Sequence, residues 1–389
     1  MYFDSFWFLE RDRHFRVIEM WPYMIRVNPF GFIVILFLFI CIYLIYLSSS
    51  ITNEVLYHSK ARKREPNLPV SLGGQSIDLK TLLVTLIKAA ERGGKEVVGV
   101  MKNRELHSRS KSKDENGKDE LLTEGDLRSH QMMVLQVSAK FPGLRIISEE
   151  KDSPEGEGFF LPFGELQDVL YADDVHNLPS SMVSMEDLVV WIDPLDATQE
   201  YSENLTQYVT TMACVAVKGV ATIGIIHEPF SQETYWAWKD TGLSESIEDL
   251  ILNVPTPMKS ESESKLRFIV SRSHTGDIKS NLAKMYKNDD KSYDVKSAGG
   301  SGYKTLQLIK GFADAYVHST SIKKWDICAP NALLNSIPNG IMTDLKGNSI
   351  DYNDTGDVYN RNGLIATLKM NHEKILKLFS DLISHSHSK

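Results

Sequence analysis

The chain has 389 residues, room for one large domain or two medium ones, and 42% hydrophobic with 24% charged residues is the balance of a folded globular protein. Its formal net charge of -8 excludes a broad electrostatic hold on DNA or RNA, so nucleic acid is not an expected partner. An acidic protein that handles phosphate would have to offset repulsion locally, with metal ions or placed cations.

Residues 1–29 are aromatic and basic and read as a short N-terminal tail. From Phe30 to Leu47 (FGFIVILFLFICIYLIYL) no residue is charged, and at about 1.5 Å per residue the run crosses most of a hydrocarbon core of about 30 Å. A cleaved signal peptide would have a shorter apolar run, begin earlier and end at a small-residue site, so a retained transmembrane anchor over 30–48 is expected. Its orientation stays open. Arg11, Arg13, Arg16 and Arg26 precede the span and Lys60, Arg62, Lys63 and Arg64 follow it, a tie in which only the closeness of Arg26 to the membrane favours a cytoplasmic N-terminus. Asn204-Leu-Thr and Asn353-Asp-Thr are possible glycosylation acceptors, which would suit a lumenal body. Residues 49–76, with Pro66, Pro69 and Gly73-Gly74, read as a stem.

The globular part begins near Ile77. Leu79, Leu82, Leu83, Leu86, Ile87 and Ala90 recur at helical spacing, predicting an amphipathic helix that stops near Gly93-Gly94. Residues 107–120 (HSRSKSKDENGKDE) read as a charged, disordered loop. A second helix is predicted over Arg128–Lys140, then strands at Leu144–Ser148, Leu188–Ile192, Val209–Val217, Ala221–Ile226 and Tyr235–Trp238. Residues 151–186 carry no chemical assignment. Further on, Leu266–Val270 and Ala313–His318 read as strands, and Tyr303–Lys310, the segment after Trp325 and His372–Leu382 as helices. This mixture lacks regular βαβ spacing and predicts a layered α/β or α+β fold. Cys41, Cys214 and Cys328 suit neither a disulfide framework nor zinc and read as buried free thiols. Tyr235, Trp236 and Trp238 read as core packing.

The chemistry concentrates in Trp191-Ile-Asp-Pro-Leu-Asp-Ala-Thr198. An apolar strand runs into Asp193 and Asp196, carboxylates that can converge on one point together with the Leu195 carbonyl. Hard oxygen ligands of this kind suit Mg²⁺, and a helix starting at Ala197 would turn free N–H groups toward a phosphate. Alone, the motif is equally an Asp-Pro turn with a helix cap. Three more acidic element ends join it: Thr123-Glu-Gly-Asp126, Ser148-Glu149-Glu150 and Lys324-Trp-Asp326-Ile-Cys-Ala-Pro330.

In this order the four motifs resemble the lithium-sensitive, magnesium-dependent phosphatase superfamily of inositol monophosphatase, over roughly residues 77–389. The resemblance implies an αβαβα sandwich of the inositol monophosphatase and sugar phosphatase type, with a metal-binding half at 77–255 and a substrate-binding half at 256–389. It implies Glu149, Asp193, Asp196, Asp326 and the Leu195 carbonyl as ligands of two or three Mg²⁺. Asp126 and Thr198 would orient and activate the attacking water. Asp193-Pro-Leu-Asp-Ala-Thr-Gln-Glu-Tyr201 and Lys323-Lys-Trp-Asp-Ile-Cys-Ala329 look most like the Golgi branch that acts on 3'-phosphoadenosine 5'-phosphate and carries an N-terminal anchor. That implies a small nucleotide bisphosphate substrate, contacted by Thr198, Ser271, His274, Gly300 and Lys304. It also implies a single-pass type II protein with a lumenal catalytic domain, a functional link to Golgi sulfotransferases, and a possible homodimer. An inositol phosphate substrate, or a scaffold without catalysis, stays as the alternative. Ala197 stands where inositol monophosphatases usually have Gly, and Gly125 where they often have Ala.

Overall fold

The computed structural model describes residues 74–113, 119–151, 173–252, 265–272, 278–285, 293–368 and 370–386. The expected tail, anchor and nearly all of the stem lie outside the described residues, as do His274 and residues 152–172. Among the described residues no helix is long and apolar enough to cross a membrane.

Helix α1, Leu79–Asn103, is capped by Asp78, whose carboxylate accepts from the N–H groups of Lys80 and Thr81 at 3.4 and 3.3 Å. It runs straight through Gly93-Gly94, where its end was expected, and stops at Arg104 in a left-handed conformation, φ 60°. The glycines are packing notches. A Cβ on Gly93 would lie 2.5 Å from Ser129 Oγ and 2.8 Å from Met133, both on helix α2 (Glu124–Lys140), and one on Gly94 would lie 2.6 Å from the His227 ring. Close helix packing outweighs the helix propensity forgone, about 1 kcal/mol per glycine.

Two parts of the expected loop depart from expectation. Arg109–Lys113 (β1) and Asp119–Leu122 (β2) pair antiparallel, from Arg109 with Leu122 to Lys113 with Asp119, with a bulge between Ser110 and Ser112; residues 114–118 lie outside the described residues.

Two larger sheets carry most of the other described strands. The first comprises β3 (Ile146–Ser148), β4 (Leu188–Asp196), β5 (Thr210–Val217), β6 (Val220–Glu228), β7 (Glu233–Trp238) and β8 (Gly242–Leu243), in the order β8-β7-β6-β5-β4-β3. Only β3 and β4 run parallel in it. The second comprises β9 (Leu266–Ser271), β10 (Tyr293–Ala298), β11 (Ala315–His318), β12 (Ile341–Thr343) and β13 (Leu364–Thr367), in the order β10-β9-β11-β13-β12.

Helices α1 and α2 cover the outer face of the first sheet through Leu82, Leu86, Met133, Ile192 and Val215. Between the sheets lie α5 (Ser301–Ile309) and α6 (Lys324–Ser336), in a core of Trp191, Met212, Ile269, Leu306, Tyr316 and Leu333. Outside the second sheet, α4 (Ile278–Met285) and α7 (His372–Ser386) pack Leu282 and Phe379 on Phe268 and Ile365. The order is the expected αβαβα. Tyr235, Trp236 and Trp238 are all buried in it.

The cysteines require a correction. Cys214 on β5 and Cys328 on α6 are joined in a disulfide, with Cα atoms 5.7 Å apart. The partners are 114 residues apart, so no local spacing could announce a pair that only sheet–helix packing brings within bonding range.

Gly93→Ala separates a packing notch from a mere helix breaker. Overpacking against Ser129 and Met133 should destabilise the protein by about 1–3 kcal/mol in urea unfolding. A gain of about 1 kcal/mol, the helix-propensity value, would show that the close contact is unimportant.

Candidate active site

Parallel pairing aligns Ser148 with Ile192, so the next residues, Glu149 and Asp193, emerge side by side at the strand ends. The Glu149 N–H donates to the Ile192 carbonyl at 3.1 Å and fixes that register. Strand β4 must then pass Pro194, which has no N–H for the ladder. A bulge solves this: Asp193 pairs with Met212 and Asp196 with Thr210, one residue more on β4 than on β5. The Ser129 hydroxyl, on α2, holds the bulge by donating to the Pro194 carbonyl at 2.7 Å. Ala197 follows in a left-handed conformation, φ 71°, which is why a glycine suits this position, and α3 (Thr198–Ser202) begins there.

Asp326 arrives from elsewhere, in the first turn of α6. One carboxylate oxygen from each of Glu149, Asp193 and Asp326 lies within 4.8 Å of the other two. Asp193 is 1% exposed, and its Oδ2 has no hydrogen-bond partner among the described residues. An orphaned carboxylate oxygen beside two further carboxylates is satisfied by a divalent cation, so these residues fit a metal. Burial, then repulsion led by Glu149, pushes both Asp193 and Asp326 well above the ordinary carboxylate range. Asp196 lines the same cavity but stands outside the three-oxygen cluster. Its Oδ2 accepts from the Gly302 N–H at 2.8 Å and the Thr210 hydroxyl at 3.3 Å, and burial, opposed by Lys304, leaves it at about 6.

Asp126 and Thr198 meet beside this cluster. Asp126 Oδ2 accepts from the Thr123 N–H at 2.7 Å and the Thr123 hydroxyl at 2.5 Å, closing a capping box on α2. Its other oxygen faces Thr198 Oγ1 at 3.0 Å, and that hydroxyl is also 3.2 Å from the Leu195 carbonyl. Burial, partly offset by Thr123 and reinforced by Glu149 and Glu150, pushes Asp126 up to about 7. Gly125 keeps α2 close to this point, since a Cβ there would lie 2.9 Å from the Tyr201 hydroxyl and 3.1 Å from Leu195.

Two lysines complete the acidic wall, and sequence reasoning missed both. Lys111 on β1 donates to Glu149 Oε1 at 2.7 Å and Glu150 Oε1 at 2.5 Å. Lys323 lies 2.6 Å from Glu120 and 3.5 Å from Glu149. Burial opposes both charges, but the facing acids outweigh it and raise both ammonium groups above the usual lysine range. Lys111 falls at the bulge between Ser110 and Ser112, a position that no sequence pattern marks.

The cavity, of about 220 Å³, extends from the acids to Ser271 at the end of β9 and Gly300 before α5. Gly300 adopts φ 62°, and a Cβ there would meet the Tyr208 carbonyl at 2.6 Å. Lys304 lines the cavity too, yet it is 4% exposed, donates to the Gly300 carbonyl, and is lowered by burial to about 8. It therefore braces the glycine turn as well as lining the cavity. Tyr316, His318, Ser321 and Tyr359 complete the wall, with nothing in their local sequence to mark them.

The chain is similar to known proteins in sequence and fold. Residues 78–384 match the model of the inositol monophosphatase family. "Inositol monophosphatase 3" of Xenopus laevis is 40% identical over 317 residues, 80% of this chain and 85% of that protein. The "Golgi-resident adenosine 3',5'-bisphosphate 3'-phosphatase" of Mus musculus is 36% identical over 380 residues, 95% and 100% of the two chains. Among solved structures, an inositol monophosphatase from Anabaena shares the fold with a TM-score of 0.52 at 16% identity, covering 78% of this chain and 96% of its own.

Metal-free stability should fall as pH rises. Asp126, Asp193, Asp196 and Asp326 all have folded values above their usual 3.8, so folding favours their protonated forms. That contribution is complete below about pH 4 and is lost as pH climbs through the folded values, which begin near 6 and 7 for Asp196 and Asp126. Thermal unfolding in chelator should therefore occur at lower temperature at pH 8 than at pH 5, and Mg²⁺ should raise it most at pH 8, where the carboxylates are ionised. Asp193→Asn should raise the chelated midpoint, by about 2–4 °C per kcal/mol recovered, and blunt the Mg²⁺ response.

Proposed function

We propose that this chain, which belongs to the inositol monophosphatase family, hydrolyses the 3'-phosphate of adenosine 3',5'-bisphosphate to give AMP and phosphate. The carrying observation is the triangle of Glu149, Asp193 and Asp326 with the Asp126–Thr198 pair beside it. Glu149, Asp193, Asp196, Asp326 and the Leu195 carbonyl would hold two or three Mg²⁺. When bound, the ions supply charge neutralisation at the phosphate and acidify the attacking water.

The protein's own share is positional. Thr198 lies between Asp126 and the Leu195 carbonyl, so its hydroxyl proton can go to Asp126 while a lone pair of Oγ1 takes a hydrogen from water. A threonine hydroxyl is a weak base alone. Asp126, held near 7 by burial, is poised to accept that proton at neutral pH. Thr198, Ser271, His274, Gly300 and Lys304 are assigned to the nucleotide, and Lys304 also supports the turn that presents Gly300.

Location follows the same reading. The uncharged run from Phe30 to Leu47 supports a single-pass anchor, with residues 1–29 cytoplasmic and the catalytic domain in the Golgi lumen. A disulfide between Cys214 and Cys328 supports an oxidising compartment. Asn204 and Asn353 are both exposed, as glycan acceptors must be. There the enzyme would clear the by-product of sulfotransferases, and association into homodimers belongs to the same picture.

Two measurements check this. Turnover of adenosine 3',5'-bisphosphate should exceed that of inositol monophosphate at equal Mg²⁺, and a clear preference for the inositol ester would displace the nucleotide assignment. Asp126→Asn should cut kcat by at least about 10²-fold, the low end for a lost general base, while the folded protein still responds to Mg²⁺ in thermal unfolding. Retained activity would remove Asp126 from the mechanism.

A further inference from the structure

We propose that the Cys214–Cys328 disulfide is a positioning element of the metal site, holding Asp326 against Asp193. This rests on the metal reading of the acidic cluster given above.

Trp191, Cys214 and Gly224 form one row of Cα partners across β4, β5 and β6. Helix α6 lies directly on that row. A Cβ on Gly224 would be 2.5 Å from the Ala329 carbonyl, so the helix backbone rests on the strand, and Cys328 is bonded to Cys214 beside it. Both cysteines are buried, at 1% and 0% exposure. Cys328 lies two residues beyond Asp326, and Trp191 two residues before Asp193. The crosslink therefore ties the helix that presents Asp326 to β5, the strand paired with the one that presents Asp193.

Those carboxylates repel. One oxygen from each of Glu149, Asp193 and Asp326 lies within 4.8 Å of the other two. The load falls on the first turn of α6, the end nearest the disulfide. A glycine notch sets how closely helix and sheet approach, and the covalent bond stops the helix end from lifting or sliding away from the sheet. In forming the bond, two thiols lose two protons and two electrons to an external disulfide, which becomes a dithiol.

The test starts with thiol counting. The full-length chain has three cysteines, so under denaturing conditions a maleimide mass tag should label one before reduction and three after. Three tags before reduction would overturn the bond. The Cys214→Ser/Cys328→Ser double variant should then bind Mg²⁺ about tenfold more weakly by calorimetry, the loss expected when a ligand's support is removed. Gly224→Ala, which presses α6 off the sheet with the disulfide intact, should weaken Mg²⁺ binding in the same direction. Phe379→Leu, in the outer layer, should lower the unfolding temperature and leave Mg²⁺ affinity unchanged. Unaltered Mg²⁺ affinity in both the double variant and Gly224→Ala would refute the positioning role. A wild-type protein that binds no Mg²⁺ would instead remove the metal reading, and the positioning role with it, whatever the thiol count.

Discussion

The rest of the molecule is arranged around mutual repulsion among buried and half-buried carboxylates. Glu149, Asp193 and Asp326 bring three oxygens within 4.8 Å of one another, with Asp126 and Asp196 close by. Like charges in a low-dielectric site cannot all ionise without compensation. Lys111 and Lys323 supply part of it from the periphery, through Glu149, Glu150 and Glu120. They leave the orphaned oxygen of Asp193 unserved. A divalent cation would serve it, which would tie the electrostatic cost of the cluster to the chemistry of the site.

Holding such groups together needs rigid, independent supports. Glu149 and Asp193 sit at the ends of a parallel strand pair, where register alone makes them neighbours. Pro194 forces a bulge, and the bulge turns Leu195 and Asp196 toward the cavity wall while Ser129 clamps it from α2. Asp326 comes on a helix from the other half of the chain, seated on Gly224. The glycines at 93, 125, 224 and 300 share one purpose. Each lets a backbone or a helix approach where a Cβ would meet another atom at 3 Å or less.

Asp126 shows how one residue can satisfy both a structural and a chemical reading. One of its oxygens completes the capping box of α2, and the other receives Thr198. The cap fixes the carboxylate's direction, and burial sets its proton affinity near neutrality. Lys304 is similar: it lines the cavity and also donates to the Gly300 carbonyl, so one cation both faces the site and holds the Gly300 turn.

By itself the sequence determined the chemistry's raw materials. Four acidic motifs in order, an apolar strand ending in Asp-Pro-Leu-Asp, and the amphipathic stripe of α1 are local patterns, so periodicity and composition reveal them. Tertiary structure alone decided three other matters. It carried α1 through Gly93-Gly94, because the cost of a glycine in a helix is local while the room it makes for Ser129 is not. It paired two parts of a charged stretch as strands and returned Lys111 to Glu149, 38 residues away. It joined Cys214 to Cys328 across 114 residues. Each of these depends on contacts between elements, and a contact between elements leaves no periodic trace in either partner.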